Sequence, residues 1–254
     1  MASSLRAHGW VPDQHGAWPM ALLPILFGIA EAGLGAWHLV LLVAWLSAFA
    51  FFHAFELWAK TAPRRRHRIR AALVTWGILT FLSGVPLLLW RPSLWAWAPL
   101  FAPLLAVAGW GIWRRHSRAL SVRVTTILAS CLMTPVAYGS GYGTRETWLI
   151  AAFLCAYFLG TVPYVRSLIR GRRDIRWVYA AVIWHVVVTV AMTMAWSLGQ
   201  VHWSAPAVWL LLSGRSLVVP LYQKRREVPL RPAVIGIIEL VACALVSVAA
   251  AQIA

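Results

Sequence analysis

Apolar runs of about twenty residues recur along the whole chain, and no other feature restricts its fold as strongly. A run of that length crosses a bilayer as a helix, because a helix satisfies its backbone hydrogen bonds internally where water is absent. The runs are continuous rather than alternating, which excludes a β-barrel. Composition agrees: 61% of the 254 residues are hydrophobic and mean hydropathy is +0.72. Charged residues make up 12%, against about 25% in soluble domains. The expected architecture is all-α: one polytopic transmembrane helical bundle over 1–254, with residues 1–14 at the cytoplasmic interface.

Nine spans are expected. They cover about Ala17–Gly35, Ala36–Trp58, Ala71–Trp90, Leu94–Trp113, Val124–Gly141, Trp148–Ile169, Trp177–Leu198, Ala205–Tyr222, and Pro232 to the C-terminus. Basic clusters follow the second, fourth, sixth and eighth spans, while the intervening loops carry only Arg91 and Arg145. With nine spans every cluster falls on one face, which the positive-inside rule makes cytoplasmic. The N-terminus is then inside, in a bacterial cytoplasmic (inner) membrane. The strongest cluster has six Lys/Arg between Lys60 and Arg70. Many of the seventeen Trp, such as Trp58, Trp90 and Trp177, lie near expected span ends, where amphipathic rings suit the headgroup level. The net charge of +16 therefore reports topology and not a nucleic-acid partner, and the expected partners are membrane lipids with anionic headgroups. No signal-peptide pattern opens the chain. Cys131, Cys155 and Cys243 are scattered, with no metal-ligand or disulfide spacing. Pro24 and Gly28 in the first span and Pro135 and Gly139 in the fifth share a Pro-x-x-x-Gly spacing. That suggests a four-plus-four repeat followed by a ninth helix.

Few polar groups enter the spans. Glu56 has His53 one turn before it and Lys60 one turn after, all on one helix face. Glu56 either lines a polar cavity with His53 or reaches the interface to pair with Lys60. Glu239 and Arg215 stand two turns from the same cytoplasmic loop on neighbouring antiparallel spans, so both sit roughly 10 Å deep. They either form a structural ion pair or line the same cavity. In Gly160–Arg170, Gly160 and Pro163 interrupt the helix, and Tyr164, Arg166 and Arg170 follow. The two arginines are i, i+4, and an arginine fork suits phosphate. His15 opens the first span, and His185 lies deep in the seventh, where a packing histidine is expected. No catalytic or nucleotide-binding motif is present.

Gln14-His15-Gly16-Ala17-Trp18 leading to Leu23-Pro24 and Gly28 resembles the opening of the YwiC-like membrane proteins. Gly160-Thr161-Val162-Pro163-Tyr164-Val165-Arg166 and Gly236-Ile237-Ile238-Glu239 are similar to two further signatures of that family. The resemblance implies a bacterial multi-pass membrane protein and assigns no activity. Nine spans with polar ends on the second and sixth also look like the UbiA-type prenyltransferases. That likeness implies an isoprenoid or quinone-type ligand in a cytoplasm-facing pocket built from His15, His53, Glu56, Tyr164, Arg166, Arg170, Arg215 and Glu239. The relatives of that type hold Mg²⁺ with two Asp-rich motifs, whereas this chain offers His53 and Glu56 at one place and a single Asp174 at the other. No cofactor is evident, Mg²⁺ chemistry is not expected, and arginines in place of metals would hold the headgroup. The alternative is a small transporter or an accessory protein of the respiratory membrane.

Overall fold

The computed structural model describes residues 8–12, 16–116, 119–225 and 230–253. Among these the chain is helical throughout, and eight helices are long and apolar enough to cross a membrane. A ninth apolar helix, α1 (Ala17–Ala32), precedes them. It has 16 residues and rises about 24 Å, which is shorter than expected. Gly33, at φ +77°, ends it, and α2 (Ala36–Lys60) begins after a three-residue link. A tight turn at Pro63–Arg65 leads to α3 (His67–Trp90), and a 3-10 segment, Pro92–Trp97, runs into α4 (Ala98–Trp113). The fifth span is broken into α5 (Leu120–Cys131) and α6 (Met133–Tyr138). Four longer helices complete the chain: α7 (Arg145–Leu168), α8 (Ile175–Ser197), α9 (Ser204–Lys224) and α10 (Pro232–Ala250). The multi-pass helical bundle read from hydropathy is therefore present, with eight of the nine expected spans long enough to cross and the first one shorter. Asp174 accepts a hydrogen bond from the Arg176 backbone N–H at 3.0 Å and so caps α8.

The chain divides into two compact units, Met1–Trp148 and Leu149–Ala254. The first holds α1 to α6 and the second holds most of α7 with α8 to α10, so these units do not coincide with a four-plus-four repeat.

In the first unit α2 pairs with α3, α4 with α5, and α1 with α6. The two Pro-x-x-x-Gly segments are packing partners. A Cβ on Gly28 would lie 2.1 Å from the Thr134 carbonyl oxygen and 2.9 Å from the Ala137 methyl. Only glycine permits that approach, in the way small residues bring membrane helices together. Around this contact Ile25, Ile29, Leu41, Met133 and Val136 form a buried core. His38 fastens its edge. Its Nδ1 accepts the Gly35 backbone N–H at 2.8 Å, and its Nε2 donates to the Ala137 carbonyl at 2.8 Å. Gly139, at φ +81°, ends α6. Its carbonyl accepts Arg91 Nη2 at 2.6 Å, with the Arg91 guanidinium 4.7 Å above the Trp37 ring. One of the two basic residues expected opposite the positive clusters thus has a structural task, which offsets its unfavourable side.

In the second unit α9 packs between α8 and α10. Polar side chains join the helices at intervals: Trp184 Nε1 donates to the Ala156 carbonyl at 2.9 Å, Thr189 and Ser213 bond at 2.8 Å, and Gln223 Nε2 donates to the Leu168 carbonyl at 2.6 Å. Such bonds hold helices where lipid tails provide no hydrophobic drive for association. The outer faces are apolar, with Ile183, Leu210, Val218 and Leu240 each more than 60% exposed, as a lipid-facing surface requires.

Candidate functional site

The second unit buries a group of polar side chains that the fold leaves only partly paired. Tyr157, Gly160 and Tyr164 are spaced i, i+3, i+7, so they share one face of α7. Helix α8 reaches this face at Gly160, where a Cβ would sit 2.8 Å from Trp184 Cδ1 and 3.1 Å from His185 Cε1.

His185 is fully buried. Its Nδ1 lies 2.7 Å from the Ala181 carbonyl oxygen. A carbonyl only accepts, so Nδ1 carries the proton and Nε2 keeps its lone pair. Among the described residues Nε2 has no hydrogen-bond partner. The ring centroid lies 5.7 Å from that of Trp209, which is itself fully buried with its indole N–H unpartnered.

Arg215 forms a salt bridge through Nη1 to Glu239 Oε1, joining α9 to α10. Its Cζ stands 4.1 Å from the centroid of the Tyr164 ring, a cation–π contact. Among the described residues Nε and Nη2 remain without partners, as does the Tyr164 hydroxyl, although Tyr164 is fully buried. Tyr157 O–H donates to the Glu239 backbone carbonyl at 3.2 Å. Buried donors without acceptors are rare, and each one calls for an explanation. The donors here are Arg215 Nε and Nη2, Tyr164 O–H and Trp209 Nε1, and the one free lone pair is His185 Nε2. The set suits a group rich in oxygen acceptors. Among the described residues no three His, Cys, Asp or Glu side chains cluster as metal ligands would.

Of the residues expected from sequence, Tyr164, Arg215 and Glu239 come together. Arg166 does not join them: it is exposed and stacks on Trp177 at 3.9 Å. Arg170 is exposed in the turn beyond α7. The helix ends at Leu168, and Gly171 N–H bonds the Arg166 carbonyl at 2.6 Å, so Arg166 and Arg170 do not share a helical face. His53 and Glu56 belong to the first unit, where Glu56 pairs with Lys60 on its own helix. His15 lies outside the described residues. Sequence reasoning passed over Tyr157, Trp209 and the open nitrogen of His185. An ionisable side chain at mid-span was a usable signal for His185, and the seven-residue spacing of Tyr157 and Tyr164 placed them on one face.

A family model described as YwiC-like protein matches residues 11–138. Gly160–Arg166 and Gly236–Glu239 lie beyond that match. The chain is 27% identical over 179 residues to the uncharacterized protein YwiC of Bacillus subtilis (strain 168), covering 70% of this chain and 74% of that protein. It is 25% identical over 186 residues to an uncharacterized protein of Haemophilus influenzae (strain ATCC 51907 / DSM 11121 / KW20 / Rd), with the same coverage on each side. No solved structure matches, and the likeness to UbiA-type prenyltransferases rests on architecture read from the sequence. The match spans half the chain and includes its opening motif: this multi-pass membrane protein belongs to the YwiC-like protein family.

Proposed function

We propose that the second unit binds the oxygen-bearing head of a quinone-type isoprenoid lipid. The observation that carries this reading is Arg215: pinned by Glu239 and stacked on Tyr164, it keeps Nε and Nη2 unpartnered in the protein interior. A quinone ring supplies carbonyl acceptors for such donors and an aromatic face for the Tyr164 and Trp209 rings. Its tail needs only the apolar outer surface of membrane helices. The reduced form carries hydroxyl donors, which His185 Nε2 can accept.

Charge separates this ligand from a prenyl diphosphate. Glu239 already neutralises Arg215, so the site has no net positive charge to balance a multiply charged head. Burying such a charge unpaired is costly. The reading therefore favours ligand binding over prenyl transfer. The basic clusters support placing the chain in the bacterial cytoplasmic membrane with those loops inward.

The test uses the full chain in lipid nanodiscs with a decyl-tailed benzoquinone. Saturable binding is expected, weakened about tenfold in Tyr164→Phe and lost in the Arg215→Met/Glu239→Leu double variant; one hydrogen bond is worth about 0.5–1.5 kcal/mol. Equal partitioning into discs with and without protein would exclude the site and leave an accessory role. Tighter binding of farnesyl diphosphate than of the quinone would restore the prenyl-transfer reading.

A further inference from the structure

We propose that the first unit carries an interfacial site for the phosphate of an anionic phospholipid, distinct from the buried set in the second unit. The site is a concavity of about 420 Å³ lined by Trp58, Arg66, His67, Arg70, Leu73 and Val74. Its walls come from the last turns of α2 and the first two turns of α3. These are the ends of two apolar spans, where headgroups lie.

Basic and apolar side chains meet at the concavity, whose lining surface is mostly apolar. Arg66, Arg70 and Leu73 are i, i+4, i+7 on one face, so about 10 Å of helix separates Arg66 from Leu73, with Arg70 between them. That distance is close to the step from a phosphate to the start of its acyl chains. Arg66 is held in place. Its Cζ stands 4.2 Å from the Trp58 ring centroid, and its Nε donates to the Thr61 carbonyl at 3.2 Å. Both Nη groups make no hydrogen bond among the described residues, and arginine's planar fork matches two phosphate oxygens. His67 Nδ1 lies 3.1 Å from the Arg64 carbonyl oxygen, which fixes the ring at the rim.

Among the described residues no carboxylate lines the concavity. Like charges at i, i+4 repel, so Arg66 and Arg70 side by side gain from an anion between them. The walls of Trp58, Leu73 and Val74 match acyl chain and glycerol, which free phosphate lacks. These features select a lipid over a soluble anion. Juxtamembrane arginines on the cytoplasmic leaflet act in the same sense.

The experiment measures phosphatidylglycerol retained by the detergent-purified full chain in native mass spectrometry, with phosphatidylcholine as the neutral probe. Wild type is expected to hold phosphatidylglycerol preferentially. Arg66→Gln/Arg70→Gln is expected to weaken retention by about fivefold or more, as loss of two charge-assisted contacts implies. Arg172→Gln/Arg173→Gln, which removes the same charge from another loop, is expected to change it less than about twofold. Equal loss in the two double variants would overturn the proposal in favour of general charge attraction. Equal retention of phosphatidylcholine, or displacement of the lipid by 10 mM inorganic phosphate, would also overturn it (probe concentration chosen as roughly ten-thousandfold over a micromolar site). Should the first double variant fail to fold by circular dichroism, Arg70→Lys keeps the charge and removes the fork. It is expected to weaken retention about two- to threefold, and unchanged retention there sinks the proposal.

Discussion

Glu56–Lys60 in the first unit and Arg215–Glu239 in the second both place opposite charges in contact, and they solve different problems. Glu56 and Lys60 are four residues apart on α2, near its end; the carboxylate is 17% exposed, much like Glu239, and the difference lies in the cation, with Lys60 36% exposed. The lysine stem carries its charge toward the interface, and the pair needs nothing from other helices. Arg215 and Glu239 are 24 residues apart on α9 and α10, with side chains only 10% and 18% exposed. There each charge depends on a partner from another helix, and the arginine is mostly enclosed. The choice of cation matters as much as depth. Lysine is a compact point charge, whereas arginine has five donors in a fixed fork. Glu239 engages one nitrogen of that fork, and two others stay open. The first pair closes its own account of polar groups. The second leaves donors facing Tyr164, which is why the candidate site belongs to the second pair.

Three sets of variants break or sharpen this contrast. Arg215→Ala leaves Glu239 buried without its partner, and should destabilise the protein by about 3–5 kcal/mol in reversible denaturation in detergent. The Arg215→Met/Glu239→Leu double variant should recover most of that loss, since apolar replacement of a buried pair is often neutral or better. A single variant no costlier than the double would show the pair to be solvated, and the contrast would fail. Tyr164→Phe has the next largest effect. In lipid-stripped protein it should gain up to about 1 kcal/mol, because it removes a buried hydroxyl that has no partner. A loss of similar size would mean that the hydroxyl is bonded. Lys60→Ala should cost only about 0.3–0.5 kcal/mol in the same measurement, and a cost near that of Arg215→Ala would erase the distinction between the two units.

Much of the fold was legible because each span is a local property. Among the described residues eight helices long enough to cross a membrane stand near the expected spans, and the first expected span is the shorter α1, ended by Gly33. The Arg215–Glu239 pair was legible from depth alone, since two spans sharing a short loop bring equal depths together. The i, i+4 reading of Arg166 and Arg170 assumes that the helix continues, whereas α7 stops at Leu168 in a turn around Gly171. The Pro-x-x-x-Gly pair carried real information of another kind. Its spacing suggested duplication, and its structural use is the contact of Gly28 with Thr134 and Ala137. Asp174, which stood where an acidic motif would be sought, caps α8.

Two buried histidines show where sequence stops and tertiary structure begins. His38 opens one apolar span and His185 lies in the middle of another, and neither position says what the ring nitrogens bond. In the fold His38 has both ring nitrogens bonded, one of them to a carbonyl ninety-nine residues away, and His185 has one bonded and one open. The sequence alone determined that this chain crosses a membrane as helices, because lipid obliges each span to satisfy its own backbone. Only the tertiary structure decided which polar side chains meet and which stay unpaired. Lipid tails are as apolar as leucine, so hydrophobicity does not say which helix faces another. That choice falls to close approaches such as Gly28 and Gly160, and these become visible only when the helices are packed.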